Sequence, residues 1–293
     1  MNNIDDMIRR QVELVLAEDI GPGDITTLAT IEQAPATAEI IAKSDGVMAG
    51  LPVVATVFEK LDENVEMKPS GGDGDRFEKN TTVLSLEADS HAILVGERTA
   101  LNFLGHLSGI ATLTSQFVRK VSGTGVKILD TRKTTPGLRY LEKYAVACGG
   151  GANHRFGLYD MALIKDNHIT AAGSITEAVE KMRRFLEKED YRKEYLIDPK
   201  DITIEVEVVD EDQLREAIAA GVTRILLDNQ SVPQLEKMVA LARSLSEKVK
   251  LEASGNVNLD NVRTIAESGV DFISIGALTH SAAASDFSLR IVS

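Results

Sequence analysis

The sequence predicts an α/β protein: an incomplete (open) α/β barrel of about six βα units, preceded by an α+β N-terminal domain. Three observations lead to this. From Val126 onward, short apolar strands alternate with helical segments, the rhythm of parallel βαβ units. The strands are near-continuous Ile, Leu and Val runs, as expected of strands covered on both faces. Nearly every strand ends in a polar or special residue, and in α/β barrels the chemistry is built at the carboxyl ends of several different strands.

The first third reads differently. Residues 4–16 place apolar side chains at Ile4, Met7, Ile8, Val12, Val15 and Leu16, a helical spacing. EDIGPGDITT (18–27) is a loop punctuated by Gly and Pro. ATAEIIAK from Ala36 predicts a strand, Asp45-Gly46 a turn, and residues 52–61 a helix. Residues 65–68 and 82–87 form a second strand pair around the turn-rich GGDGDRFEKN. Asp45, Asp73 and Asp75, in these loops, are read as solvated. Residues 91–121 predict a long helix whose apolar face is built from Leu94, Leu101, Leu104, Leu107, Leu113 and Phe117. Arg98 lies in that company. It is a structural salt bridge, a snorkelling surface residue, or a group reaching a site on another element or subunit. The N-terminal domain is assigned to residues 1–113.

The barrel is assigned to residues 114–284. Its strands are VKILD (126–130), MALIK (161–165), ITIEVEV (202–208), RILLD (224–228), VKLEAS (249–254) and DFISIG (271–276). Helical segments at 138–148, 175–186, 211–220, 233–245 and 259–268 separate most of them. The strand-end residues are Asp130, Lys165, Glu207, Asp228, Ser254 and Gly276. A doubly wound open sheet would gather such residues at one switch point, whereas six contributing strands favour a barrel. Residues 285–293 alternate polar and apolar side chains, so this tail is expected to return to the N-terminal domain as an edge strand.

Composition excludes several functions. With 43% hydrophobic and 26% charged residues the chain is globular. A net charge of −13 argues against nucleic acid and anionic membrane surfaces, both of which need basic faces. No apolar run is long enough to span a bilayer, and the acidic, amphipathic N-terminus does not read as a signal peptide. A single cysteine, Cys148, fits a reducing cytoplasm, and its place on the face of Leu138, Leu141 and Ala145 makes it a packed thiol.

Against that acidic background, residues 130–168 concentrate Arg132, Lys133, His154, Arg155 and Lys165, with Thr131, Thr134, Thr135, the glycines at 149–151 and Asn153 between them. Cations, hydroxyls and exposed amides suit a polyanionic small molecule. EASGN (252–256) and SIGALTHS (274–281) follow the last two strands, where barrels commonly seat a phosphate on loop amides and a short helix. Ser254, Gly255, Gly276 and Ala277 present amides there, with His280 one turn on; the glycines equally suit tight βα turns. Glu207 and Asp228 end neighbouring strands. They serve a divalent metal, magnesium first, or ribose hydroxyls, or an oxocarbenium-like centre, or they form salt bridges to Lys165 or Arg132. His154, Asp166 and His168 admit a transition-metal reading, though His168 equally caps the following helix. Lys165 also admits a Schiff-base role.

These motifs resemble a known family. DTRKTTPGLRYLEKYAVACGGGANHRFGLYDMALIKDNHI, with EDIGPGDITT, GERTALNFLGHLSGIAT, IEVEV, ILLDN, LEASGNV and GVDFISIGALTHSA in order, is similar to quinolinate phosphoribosyltransferases over essentially the whole chain. The resemblance implies phosphoribosyl transfer from phosphoribosyl pyrophosphate to quinolinate with decarboxylation. Arg132, His154 and Arg155 would hold the two carboxylates, joined by Arg98 from the neighbouring subunit of a homodimer. Lys133 and Lys165 would meet pyrophosphate and substrate charges, and Glu207 and Asp228 the ribose and magnesium. Ser254, Gly255, Gly276 and His280 would receive the 5-phosphate, with Thr131, Asn256, Ile275 and Ala277 as further substrate contacts. The alternatives are a non-decarboxylating nicotinate-type transferase, an aldolase acting through Lys165, and a regulatory protein that binds the same ligands without turnover.

Overall fold

The structure, a computed structural model, describes residues 4–188 and 197–292. Residues 1–3, 189–196 and 293, the last of these being the end of the tail, lie outside it. The chain forms two compact units: Met1–Ser115 with Tyr140–Gly150 and Ser281–Ser293, and Gln116–Arg139 with Gly151–His280.

The elements of the first unit are α1 (Ile4–Ile20), α2 (Ile25–Thr30), β1 (Pro35–Ala42), β2 (Gly46–Val47), α3 (Leu51–Leu61), β3 (Glu66–Pro69), β4 (Arg76–Phe77), β5 (Thr82–Asp89) and most of α4 (Ser90–Lys120). Most of α5 (Arg139–Cys148) joins it, as does the last strand of the chain, Phe287–Ile291. That strand pairs antiparallel with β1, which pairs with β5, and β5 with β3. Alternation along β1 puts Ala38, Ile40 and Ala42 into the core. Val53, Val54, Val57 and Phe58 bury one face of α3.

Four sequence expectations change in this unit. EDIGPGDITT is not all loop: Asp24 accepts the amides of Thr26 and Thr27 and starts α2. Arg98 does not lie on the apolar face of α4. The helical period turns Arg98 and Asn102 outward together while Leu101 and Leu104 are buried. Asp73 and Asp75 are not merely solvated. Asp73 accepts the amides of Gly50 and Leu51 at the start of α3 and the Tyr144 hydroxyl at 2.6 Å, while Asp75 accepts the Gly72 amide. Residues 140–150, placed by the sequence in the barrel, group with this unit. Gly149 explains why: a Cβ there would meet the Ala111 carbonyl and Thr114 well inside contact distance.

The second unit holds β6 (Lys127–Leu129), β7 (Ala162–Ile164), α6 (Asp166–Ala172), α7 (Ile175–Leu186), β8 (Ile204–Val208), α8 (Glu211–Ala219), β9 (Arg224–Asp228), α9 (Val232–Leu245), β10 (Lys250–Ser254), α10 (Val262–Glu267), β11 (Phe272–Ser274) and α11 (Ala277–His280), and β12 is the strand Phe287–Ile291 already placed. Its six strands run parallel in the order β6-β11-β10-β9-β8-β7. β6 and β7, consecutive in the chain, are the two edges, so the barrel is open. Capping residues start the helices: Ser174 accepts the Glu177 amide and Asp210 the Gln213 amide. Among the described residues no helix is long and apolar enough to cross a membrane.

Candidate active site

The carboxyl ends of the parallel strands open onto a cleft of about 510 Å³. Its walls carry Thr131, Lys133, His154, Lys165, Asp228, Ser254, Gly255, Asn256, Ile275, Gly276, Ala277 and His280, all expected from the sequence, and also Asn229, Glu252 and Ser274. Strand register explains the convergence. Ser254 stands opposite Asp228 on one side and Ser274 on the other, so three neighbouring strands end at one level. Of the other expected residues, Arg132, Arg155 and Glu207 belong to the same unit but do not form the cleft wall, and Arg98 lies in the first unit.

At one end the loops after β10 and β11 are drawn tight. Gly255 has φ +97°, and a Cβ on it would run into the side chain of Asn229, which itself has φ +52°. Asn229 donates to Asp228 Oδ2 at 2.7 Å, and Asn256, also at φ +52°, donates to Asn229 Oδ1 at 3.4 Å. Asn229 thus ties the Asp228 carboxylate to the loop after β10. Across the cleft the Lys133 stem and the His280 ring both lie 3.1 Å from where a Cβ on Gly276 would sit, and Thr279 donates to the Lys133 carbonyl at 2.8 Å. The two loops leave glycine backbone exposed beside a lysine and a histidine, an arrangement that fits a phosphate.

The segment after β6 is shaped by one arginine. Arg139 donates to Thr134 Oγ1 at 3.0 Å, the Phe156 carbonyl at 3.1 Å and the Arg132 carbonyl at 3.4 Å. Asp130, fully buried, accepts the His154 amide at 2.9 Å. These contacts bring Arg132 and Arg155 close together. Arg155 donates to the Met161 carbonyl at 3.2 Å, and its pKa is lowered, first by burial and then by the nearby charge of Arg132. The Nε of Arg132 is buried and has no hydrogen-bond partner. Two crowded guanidinium groups, one with an unmet buried donor, are an arrangement that fits an anion.

Lys165 Nζ is paired with Glu207, half-buried at the end of β8. His168 caps rather than binds metal: its Nδ1 accepts the Lys165 amide at 3.0 Å at the start of α6. His154, Asp166 and His168 are not brought together. Among the described residues the group with metal-like convergence is His154, Glu205 and Glu252, and Arg224 occupies it.

That group was missed in the sequence. The signal was strand parity: Glu205 shares its face with Glu207, Glu252 with Ser254, and Arg224 with Asp228, so all point into the barrel below the strand ends. Arg224 donates to Glu205 Oε1 at 3.0 Å and Glu252 Oε2 at 2.6 Å. The remaining oxygens, Glu205 Oε2 and Glu252 Oε1, lie 3.1 and 3.3 Å from His154 Nε2. Burial works against a charged His154, but its bonds to Glu205 and Glu252 outweigh it and raise the pKa to about 9. Nδ1 meets the Arg155 amide at 2.7 Å, a contact that needs the neutral ring. The carboxylates and that amide therefore compete over the second proton, and Nε2–H is common to both forms. His154 thus lines the cleft while its Nε2 faces Glu205 and Glu252.

Comparison with known proteins agrees with this architecture. Residues 24–108 match the family described as Quinolinate phosphoribosyl transferase, N-terminal domain, and residues 110–290 its C-terminal domain. The chain is 42% identical to a probable nicotinate-nucleotide pyrophosphorylase (carboxylating) of Bacillus subtilis, over 99% of this chain and 95% of that one. It is 40% identical to quinolinate phosphoribosyltransferase (decarboxylating) 1 of Nicotiana glauca, covering 96% of this chain and 81% of the relative. The solved nicotinate-nucleotide pyrophosphorylase from Francisella tularensis superposes with a TM-score of 0.91 at 40% identity, covering 99% and 98% of the two chains. The match runs through both units and the open barrel alike, and the chain belongs to the quinolinate phosphoribosyltransferase family.

Proposed function

We propose that this chain transfers the phosphoribosyl group of 5-phosphoribosyl 1-pyrophosphate to the ring nitrogen of quinolinate with loss of CO2, giving nicotinate mononucleotide and pyrophosphate for NAD biosynthesis. The observation that carries this reading is the Arg132–Arg155 pair, crowded together in a chain of net charge −13 and including a buried, unpartnered Nε. Two guanidinium groups suit a dicarboxylate better than a monocarboxylate such as nicotinate.

In this reading Arg132 and Arg155 bind the quinolinate carboxylates, and Thr131, Lys133 and Lys165 meet the remaining negative charge. Ser254, Gly255, Asn256, Ile275, Gly276, Ala277 and His280 take the 5-phosphate at the glycine loops. Asp228 and Glu207 face the ribose. As the C1–pyrophosphate bond opens, positive charge grows at C1 and the carboxylates stabilise it, while Lys133 and Lys165 stabilise the leaving group. The pyridine nitrogen bonds to C1 and becomes cationic. The C2–carboxylate bond then breaks, its electron pair stays at C2 beside the ring N⁺, and C2 takes a proton. No nucleophile–base pair is needed for these steps.

Magnesium fits as a substrate-borne ion. Glu207 and Asp228 offer carboxylate oxygens, but one is paired with Lys165 and the other with Asn229, so most ligands would be pyrophosphate and ribose oxygens. When bound it would neutralise pyrophosphate charge. Arg98, exposed on α4, supports a homodimer in which it reaches the neighbouring subunit's site. The cytoplasm is the compartment proposed, from the single cysteine. A Schiff-base role for Lys165 is disfavoured by its ion pair with Glu207, which engages the amine.

The test is purified protein with magnesium, phosphoribosyl pyrophosphate and either quinolinate or nicotinate, following CO2 and mononucleotide together. Equal release of both from quinolinate, with nicotinate inert, is expected. Turnover of nicotinate alone, or of neither, overturns the proposal.

A further inference from the structure

Below the cleft the barrel interior is not filled by the branched aliphatic side chains that usually occupy such a layer. Glu205 and Glu252 are fully buried there, and each carboxylate bridges Arg224 to His154. The four residues close a ring in which each carboxylate hydrogen-bonds the guanidinium through one oxygen and sets the other at ion-pair distance from the imidazole. Arg224 also stacks over the Phe272 ring, 4.6 Å from its centre, which fixes the guanidinium from below. A well-packed apolar layer would stabilise a core as well as or better than a buried ion network, so stability alone does not account for this one.

What the ring holds is one side of the candidate carboxylate site. His154 is anchored by its amide on Asp130, by Nε2 on the two glutamates and by Nδ1 on the Arg155 amide. Arg155 follows immediately in the chain. Rotation of the imidazole would therefore move the backbone from which Arg155 extends toward Arg132.

We infer that Glu205, Glu252 and Arg224 are positioning residues that lock the His154 ring and through it aim Arg155, making this layer a determinant of dicarboxylate recognition. The inference rests on the proposed reaction for its kinetic readout only. Its structural content is that the glutamates set the state of His154.

The experiment uses Glu252→Gln, which keeps the shape of the side chain, and the double variant Arg224→Met with Glu252→Gln, which removes one cation and one anion and leaves the net charge of the cluster unchanged. Three quantities are measured for each folded variant: the 15N resonances of His154 among the five histidines, the KM for quinolinate, and the KM for phosphoribosyl pyrophosphate. The expected result is a displaced His154 Nε2 resonance and a KM for quinolinate raised at least tenfold, with the KM for phosphoribosyl pyrophosphate within about twofold of wild type. An unmoved His154 resonance overturns the inference, as does an equal rise in both KM values, which would mean general loosening. If wild type itself does not turn over quinolinate, the proposed reaction falls, and the resonance still decides whether the glutamates govern His154. Should Glu252→Gln not fold, the charge-conserving double variant supplies the same three readouts.

Discussion

The Asn229 carboxamide occupies the space that a Cβ on residue 255 would need: built there, such a Cβ would lie inside 3.0 Å of Asn229. Residue 255 also holds a φ of +97°, which side chains other than hydrogen rarely adopt. The loop after β9 and the loop after β10 are thus fitted into each other, and Asp228 is tethered to the same asparagine.

Gly255→Ala should therefore move Asn229, and with it Asp228, as well as straining the backbone by about 1–3 kcal/mol. The expected outcome is a KM for phosphoribosyl pyrophosphate at least tenfold higher with the KM for quinolinate little changed. Steady-state kinetics in both substrates check this, and a variant with wild-type kinetics would sink the assignment of this loop to the phosphate.

Arg132→Ala and Arg155→Ala should each weaken quinolinate use by several kcal/mol in kcat/KM, the loss typical when one partner of a desolvated charge pair is removed. Lysine at position 132 should rescue little, because a point charge cannot make a two-pronged contact with a carboxylate. Measured kcat/KM for quinolinate in the three variants decides it; near-wild-type values in the alanine variants would remove the arginines from the carboxylate site.

Much of this site is legible in the sequence. The strand-end residues Asp228, Ser254 and Gly276 were found because a parallel strand announces itself as an apolar run and its last residue is then easy to name. Gly255 follows from the turn chemistry of a βα loop, and Asn256 from the family resemblance. What stayed hidden needs pairing across strands. Glu205, Arg224 and Glu252 sit inside apolar runs, and only the register that sets β8, β9 and β10 side by side brings their charges together. Arg98 sits in sequence among the five leucines that build the apolar face of α4, which hides its own orientation. The helical period puts Arg98 and Asn102 on another. Asp73 looked like an ordinary loop acid, and its role depends on Tyr144, distant in sequence. Asn229 was passed over because nothing local says that an asparagine after a strand will take φ +52° and fill its neighbour's Cβ position.

If Arg98 completes a site on the neighbouring subunit, Arg98→Ala and Arg132→Ala are each inactive alone yet defective in different halves of a shared site. Mixing the two variants through unfolding and refolding should give heterodimers with one intact site, and so up to half the activity per heterodimer. The check is activity of heterodimers isolated by two distinct affinity tags. Verified heterodimers with no more activity than either parent would count against sharing.

The opposite end of the barrel should respond to pH rather than to substrate. Asp271, just before β11, accepts Arg243 at 2.7 Å, Lys250 at 2.8 Å and the Leu251 amide at 2.9 Å. Burial raises its pKa, but the hydrogen bonds to Lys250 and Arg243 outweigh burial and hold it below its ordinary 3.8. A carboxyl depressed in the folded state contributes stability at pH above its unfolded value and loses that contribution as pH falls through the folded one. Asp271→Asn should therefore be less stable than wild type at pH 7, and the gap should shrink as the pH drops below about 4, where the wild-type carboxyl also takes up a proton. Because Asp271 precedes β11 while Ser274 at its far end borders the cleft, specific activity per folded molecule should not change. Urea unfolding at pH 7 and pH 3 measures the gap. A difference that persists undiminished at pH 3 would show that Asp271 acts there through packing and not through its charge.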